Sequence, residues 1–133
     1  GAIAANLVAP QQRVLAICGD AGFLMNVQEM ATARRMNSNI VAMVWEDNAY
    51  GLIAWKQTDH FGKHTDLAFN NPDWALLAQS FGWHGHMVNS SRDLVETLET
   101  AFTEQGPSLV VVPIDYRENA LLTERLGNIA FSI

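Results

Sequence analysis

The sequence predicts an α/β doubly wound domain, with a mainly parallel sheet covered by helices on both faces. Three observations predict it. Short apolar runs rich in β-branched residues alternate with helix-forming stretches. The runs are apolar throughout rather than alternating with polar residues, as expected of strands buried on both faces. The two strongest runs stop abruptly in acidic, turn-forming sequence.

Taken in order, Gly1-Ala-Ile-Ala-Ala-Asn-Leu-Val8 has no Met start and no positive segment, so it is a poor signal peptide. It reads as the second half of a small-residue helix, and the chain as a piece of a larger protein cut inside an element. Val14-Leu-Ala-Ile-Cys18 is a strand stopped by Gly19-Asp20. Met25 to Met36 carries helix formers, with Arg34-Arg35 near its end, where cations complement the helix dipole. Ile40-Val-Ala-Met-Val-Trp45 is the second strong strand, halted by Glu46-Asp47-Asn48. Asn71-Pro72-Asp73 starts a helix, with Asn71 as cap; Trp74, Leu77 and Phe81 share its face and Gly82 ends it. Gly85-His-Met-Val88 is a weaker strand. Ser90-Ser91 opens a helix whose stripe is Leu94, Leu98, Ala101 and Phe102, and Leu109-Val-Val-Val-Pro113, also a weaker strand, closes the set. Residues 117–125 read as a charged tail helix.

With 133 residues the chain fits one domain, taken as 1–133, without repeats or linkers. A net charge of −6 with scattered Lys and Arg excludes a nucleic-acid groove, which needs a concentrated positive face. No apolar run is long enough to cross a bilayer. A single cysteine, Cys18, excludes an internal disulfide framework and fits a reducing, cytoplasmic compartment.

Ligands of open parallel sheets bind at the carboxyl ends of the strands. Asp20 and Asp47 follow the two best strands, so they should lie on the same sheet edge, on neighbouring loops. Small residues at Gly19, Ala21 and Gly22 allow close approach to the backbone, and a helix beginning after Phe23 would direct free N–H groups at an anion. Two carboxylates beside a phosphate cradle suit Mg²⁺, an oxygen-seeking cation often shared between carboxylates and phosphate. The residues point to a magnesium–diphosphate site.

Gly19-Asp20 followed, after 26 intervening residues, by Asp47-Asn48 resembles the thiamine-diphosphate signature, which begins Gly-Asp-Gly and ends Asn-Asn. The stretch Met25-Asn-Val-Gln-Glu-Met-Ala-Thr-Ala33 resembles the motif helix of acetolactate synthases, and the resemblance runs on through Ile114-Asp-Tyr-Arg-Glu-Asn119. It implies that Asp20, Asp47 and the carbonyl of Ala49 are Mg²⁺ ligands. It also implies that backbone groups at Gly19, Ala21 and Gly22 meet the diphosphate of thiamine diphosphate, and that Tyr50, Gly51 and Leu52 line the cofactor near its middle. Trp45-Glu-Asp-Asn48 and Leu52-Ile-Ala-Trp-Lys-Gln57 resemble the catabolic, FAD-independent group.

The implied reaction is decarboxylation of pyruvate and ligation of the two-carbon unit to a second 2-oxo acid. No catalytic residue is assigned within the chain. The glutamate that activates the aminopyrimidine is expected from a pyrimidine-binding domain, usually in a partner subunit of a homo-oligomer, and neither Glu29 nor Glu46 takes its role. The sequence departs from the signature where Ala21 replaces the third glycine, where Glu46-Asp47 replaces Asn-Asn, and at Lys56. A methyl at position 21 requires a negative φ there.

Other readings stand beside these. Asp20 could cap a helix and Asp47 could be a turn residue. His60 with His64, and His84 with His86, have ligand-like spacing but lack a third partner. Cys18, Trp74 and Phe81 read as packing residues, and Trp55 as packing or substrate entrance. Rival functions are another thiamine-dependent 2-oxo acid decarboxylase or carboligase, a noncatalytic phosphate-binding module, and an oligomerisation domain.

Overall fold

The computed structural model describes residues 1–116. The tail helix at 117–125 and the end of the family resemblance at Asn119 lie outside the described residues.

Four parallel strands form one sheet in the order β1-β2-β4-β3: β1 (Val14–Gly19), β2 (Ile40–Glu46), β3 (His84–Met87) and β4 (Ser108–Pro113). Side chains alternate across a strand, so each strand feeds both faces of the sheet. On one face Ile40, Ala42, Val44, Leu109 and Val111 pack with Met30, Ala33, Trp74, Ala78 and Trp83. On the other, Val41 and Val110 pack with Val88, Ala101, Leu94, Leu98 and Phe102. Two cores, one per face, are what a doubly wound sheet requires, and the predicted class is the observed one.

Helix α1 (Ala2–Val8) is tied down by Asn6, whose amide donates to the Gln12 carbonyl and accepts from the Asn39 N–H, 3.0 Å each. The expected helix over 25–36 is shorter, α3 (Glu29–Arg35), and is preceded by a separate short helix, α2 (Asp20–Leu24). Between them the bonds tighten to i→i+3, as in Asn26 N–H to Phe23 and Val27 N–H to Leu24. Asn26 and Val27 are weak helix formers, which accounts for the break between the two helices. Helix α2 starts at Asp20, not after Phe23, because extended Gly19 (φ −74°, ψ 160°) serves as its N-cap.

Helix α4 (Gly51–Phe61) is not among the elements the sequence predicts; none of its residues is buried, and it ends at left-handed Gly62 (φ 72°). Helix α5 (Trp74–Ser80) is capped by Asp73, whose Oδ1 accepts the Leu76 N–H at 3.0 Å, rather than by Asn71. Helix α6 (Leu94–Thr103) begins four residues beyond Ser90, after a turn closed by the Asp93 N–H on the Ser90 carbonyl. Among the described residues no helix is long and apolar enough to cross a membrane.

Candidate functional site

Strands β1 and β2 are adjacent and in register, with Gly19 opposite Trp45, so their carboxyl ends deliver Asp20 and Asp47 side by side. Asp20 is 2% exposed. Its Oδ2 accepts three donors: the Asp47 N–H at 3.2 Å, the Asn48 N–H at 2.9 Å and the Asn71 side-chain amide at 2.7 Å. Its Oδ1 accepts only the Ala21 N–H, at 2.8 Å. Oδ2 is therefore fully engaged, while Oδ1 keeps a lone pair for a further partner.

Asp47 is half-buried at the tip of β2. Burial, and then the charge of Asp20, push its carboxyl above the usual carboxylate range, against the opposing pull of the Ala49 and Asp47 N–H groups. A carboxylate whose proton affinity is raised beside a second carboxylate is relieved by a cation between them. Asn48 holds a left-handed backbone (φ 58°), which Asn tolerates better than most residues. That turn clips the loop to residues 67–69, through Tyr50 N–H to the Leu67 carbonyl (3.1 Å) and Phe69 N–H to the Asn48 carbonyl (3.0 Å). Ala49 bridges to Ala68 within this clip.

Gly51 opens α4 against the same carboxylate. A methyl there would collide with Asp47 Oδ2 and press on the Tyr116 ring at 3.2 Å. Tyr50 packs on Phe69 with ring centroids 5.3 Å apart, and Leu52 stands exposed. Gly19 and Gly22 differ from Gly51, since a methyl on either would meet no atom of the chain within 4 Å. Packing of the chain on itself does not demand glycine there, so both positions leave open room for a ligand against the backbone. Ala21 lies in α2 without a positive φ, so its methyl is accommodated.

The two carboxylates and the small-residue turn thus come together as the sequence suggests. Three further participants carry no such signal in the sequence. Asn71 reaches back to Asp20, and also approaches Asn48 Oδ1 (3.1 Å) and Glu46 Oε1 (3.3 Å). Trp74, buried in the core, donates its indole N–H to Glu46 Oε1 at 2.7 Å. Tyr116 sits over Gly51, its phenol pushed above its ordinary value by burial and then by the charges of Asp47 and Asp20. The Asn-Pro-Asp spacing signals only a helix start, because contacts this distant in sequence leave no local mark.

Elsewhere, His84 and His86 share a face of β3. Both reach Glu104, with His86 Nε2 at 2.7 Å from one carboxylate oxygen and His84 Nδ1 at 3.6 Å from the other. Among the described residues no group of three or more His, Cys, Asp and Glu side chains has metal-binding geometry. A Mg²⁺ site shared with a diphosphate asks less of side chains, because carbonyl and phosphate oxygens complete its shell. A cavity of about 710 Å³ runs past Ile3, Cys18, Phe23 and Met30 and includes neither Asp20 nor Asp47. The carboxylate pair lies instead on the open edge of the sheet.

A parallel α/β domain with paired carboxylates at its carboxyl edge is a ligand-binding class of fold. Residues 1–112 match the family model described as thiamine pyrophosphate enzyme, C-terminal TPP binding domain, and the chain belongs to that family. It is 38% identical over 125 residues to a catabolic acetolactate synthase of Raoultella terrigena, covering 94% of this chain and 22% of that protein. It is 36% identical over 118 residues to an acetolactate synthase of Bacillus subtilis, covering 89% and 21% respectively. The chain thus spans about a fifth of the length of these relatives. In fold it is similar to a thiamine diphosphate-dependent 4-hydroxybenzoylformate decarboxylase of Rhodococcus jostii, with a TM-score of 0.79 at 21% identity. That match covers 88% of this chain and 22% of the other.

Proposed function

We propose that this chain is the domain that holds Mg²⁺ and the diphosphate of thiamine diphosphate in an acetolactate synthase-like enzyme. That enzyme decarboxylates pyruvate and joins the two-carbon unit to a second 2-oxo acid. The observation that carries the reading is the Asp20–Asp47 pair on adjacent strand ends, with Asp20 anchored through Oδ2 and its Oδ1 left open. Asp20, Asp47 and the Ala49 carbonyl would hold the metal. Backbone at Gly19, Ala21 and Gly22 would meet the diphosphate, with the Ala21 N–H shared with Asp20. Tyr50, Gly51 and Leu52 would flank the middle of the cofactor.

Bound thiamine diphosphate supplies the electron sink for breaking and making bonds next to a carbonyl. This chain's residues bind and orient it. Nothing in the chain is assigned the activating carboxylate, so a pyrimidine-binding domain and a partner subunit of a homo-oligomer complete the site. We place the enzyme in the cytoplasm, in keeping with its lone half-buried cysteine.

Calorimetric titration of the full-length enzyme with thiamine diphosphate, with and without Mg²⁺, tests the reading. Binding should require Mg²⁺ and be lost in Asp20→Ala and Asp47→Ala, and the isolated chain should bind weakly. Binding that ignores both substitutions would leave a phosphate-binding or structural domain as the better account. Turnover of an aromatic 2-oxo acid with none of pyruvate would replace the synthase by a decarboxylase.

A further inference from the structure

Asn71 lies on the segment leading into α5, far along the chain from Asp20, yet its amide nitrogen faces three oxygens. These are Asp20 Oδ2 at 2.7 Å, Asn48 Oδ1 at 3.1 Å and Glu46 Oε1 at 3.3 Å. Two of the three belong to carboxylates that only accept, so the amide orientation is settled: the NH₂ must point at them. The consequence is that Asn71 Oδ1 is buried with no hydrogen-bond partner among the described residues. A buried carbonyl without a donor is unfavourable, and an amide kept in that orientation is held there by its bonds on the nitrogen side. Helix capping does not account for it, since Asp73 caps α5.

We propose that Asn71 is a positioning residue for the metal site, acting through Asp20. Resting on the function proposed above, this assigns to its NH₂ the task of fixing Asp20 Oδ2 and the Asn48 side chain together. With Oδ2 saturated by three donors, the carboxylate cannot rotate to exchange its oxygens without breaking the shortest of those bonds. Oδ1 is then the oxygen offered to a cation. The same amide links the turn after β1, the turn after β2 and the approach to α5, so the Asp47–Ala49 loop is held at a fixed offset from Asp20.

The test is Mn²⁺ binding to the full-length enzyme at saturating thiamine diphosphate, read by electron paramagnetic resonance and by titration. Asn71→Ala and Asn71→Leu both remove the donor, so that one can be read if the other fails to fold. Each should weaken Mn²⁺ roughly tenfold or more, in the range seen when outer partners of metal ligands are removed. Each should also broaden the bound Mn²⁺ spectrum. Trp74→Phe loosens the same segment from Glu46 without touching Asp20, and should leave affinity and spectrum as in wild type. If both Asn71 variants fold and bind Mn²⁺ as wild type does while Asp20→Ala does not bind, the positioning role is overturned and the metal site stands. If Trp74→Phe weakens Mn²⁺ as much as the Asn71 variants, Asn71 is merely structural and the proposal fails. If Asp20→Ala itself binds normally, the functional reading fails and this inference with it.

Discussion

Gly51→Ala separates metal binding from stability in a way few substitutions at this site can. Position 51 opens α4 with an ordinary helical backbone, so glycine is not required there by φ. Alanine is the better helix former by up to about 1 kcal/mol, less at a helix end, and on that ground alone the variant would be as stable as wild type or slightly more so. The added methyl, however, occupies the position of Asp47 Oδ2 and lies 3.2 Å from two ring carbons of Tyr116. The ring needs to give by a few tenths of an ångström, but the carboxylate must move. Displacing one of the two proposed acidic ligands should weaken Mg²⁺-dependent binding of thiamine diphosphate by ~10–100-fold, which is about 1.4–2.8 kcal/mol. Calorimetry at fixed Mg²⁺ reads the affinity and thermal melting of the cofactor-free enzyme reads the stability. Affinity within twofold of wild type would refute the assignment of Asp47 as a ligand. A large fall in melting temperature would mean that the contact with Tyr116, not the carboxylate, governs the position.

Two further outcomes follow from groups away from the cofactor edge. Burial raises the Glu104 carboxyl, but the His86 hydrogen bond and charge, with Ser108 and His84 behind them, outweigh it and leave Glu104 below the usual carboxylate range. A depressed folded value means stability that is present above the ordinary carboxylate pKa and is lost as pH falls through the folded one. Glu104→Gln should therefore cost ~1 kcal/mol near pH 6, and the gap should close as pH falls through the depressed folded value. A gap in urea midpoints that does not change with pH would contradict this. Cys18 is half-buried in β1 and burial pushes its thiol up, so iodoacetamide should modify it at least ~10-fold more slowly than free cysteine at neutral pH. Equal rates would show that the strand opens readily.

What can be read from the sequence is whatever local pattern and burial agree on. Strand β2 is apolar throughout because it runs between two neighbours with both faces covered, and its end at Glu46-Asp47 is visible as the end of that pattern. Helix α4 escapes detection for the opposite reason. Leu52, Ile53, Trp55 and Phe61 are all exposed, so the helix buries no face of its own in this chain and has no clean period to detect. The start of α2 falls ahead of the one expected after Phe23 because Gly19, a strand stop in the sequence, is also a helix cap. Asn71 and Asp73 are both competent caps, and choosing between them depends on Asp20, Glu46 and Asn48, which only the folded chain brings near.

That choice also bears on the acidic departure from the family signature. Glu46-Asp47 in place of Asn-Asn adds two formal negative charges beside Asp20 and, on charge alone, overloads a site proposed to hold a diphosphate as well. The structure divides the three acids. Glu46 Oε1 is engaged by the Trp74 indole and approached by the Asn71 amide, which directs that charge toward α5. Asp20 and Asp47 are left as the pair that opposes itself, and Asp47, raised first by burial, is raised further by the charge of Asp20. Two carboxylates balance one divalent cation. The charge of a diphosphate then falls to the cation's remaining coordination and to backbone N–H groups around Gly19 and Gly22, where no side chain intrudes. A metal-free site should accordingly bind the diphosphate poorly, because the first charges it would meet are the two it most needs neutralised.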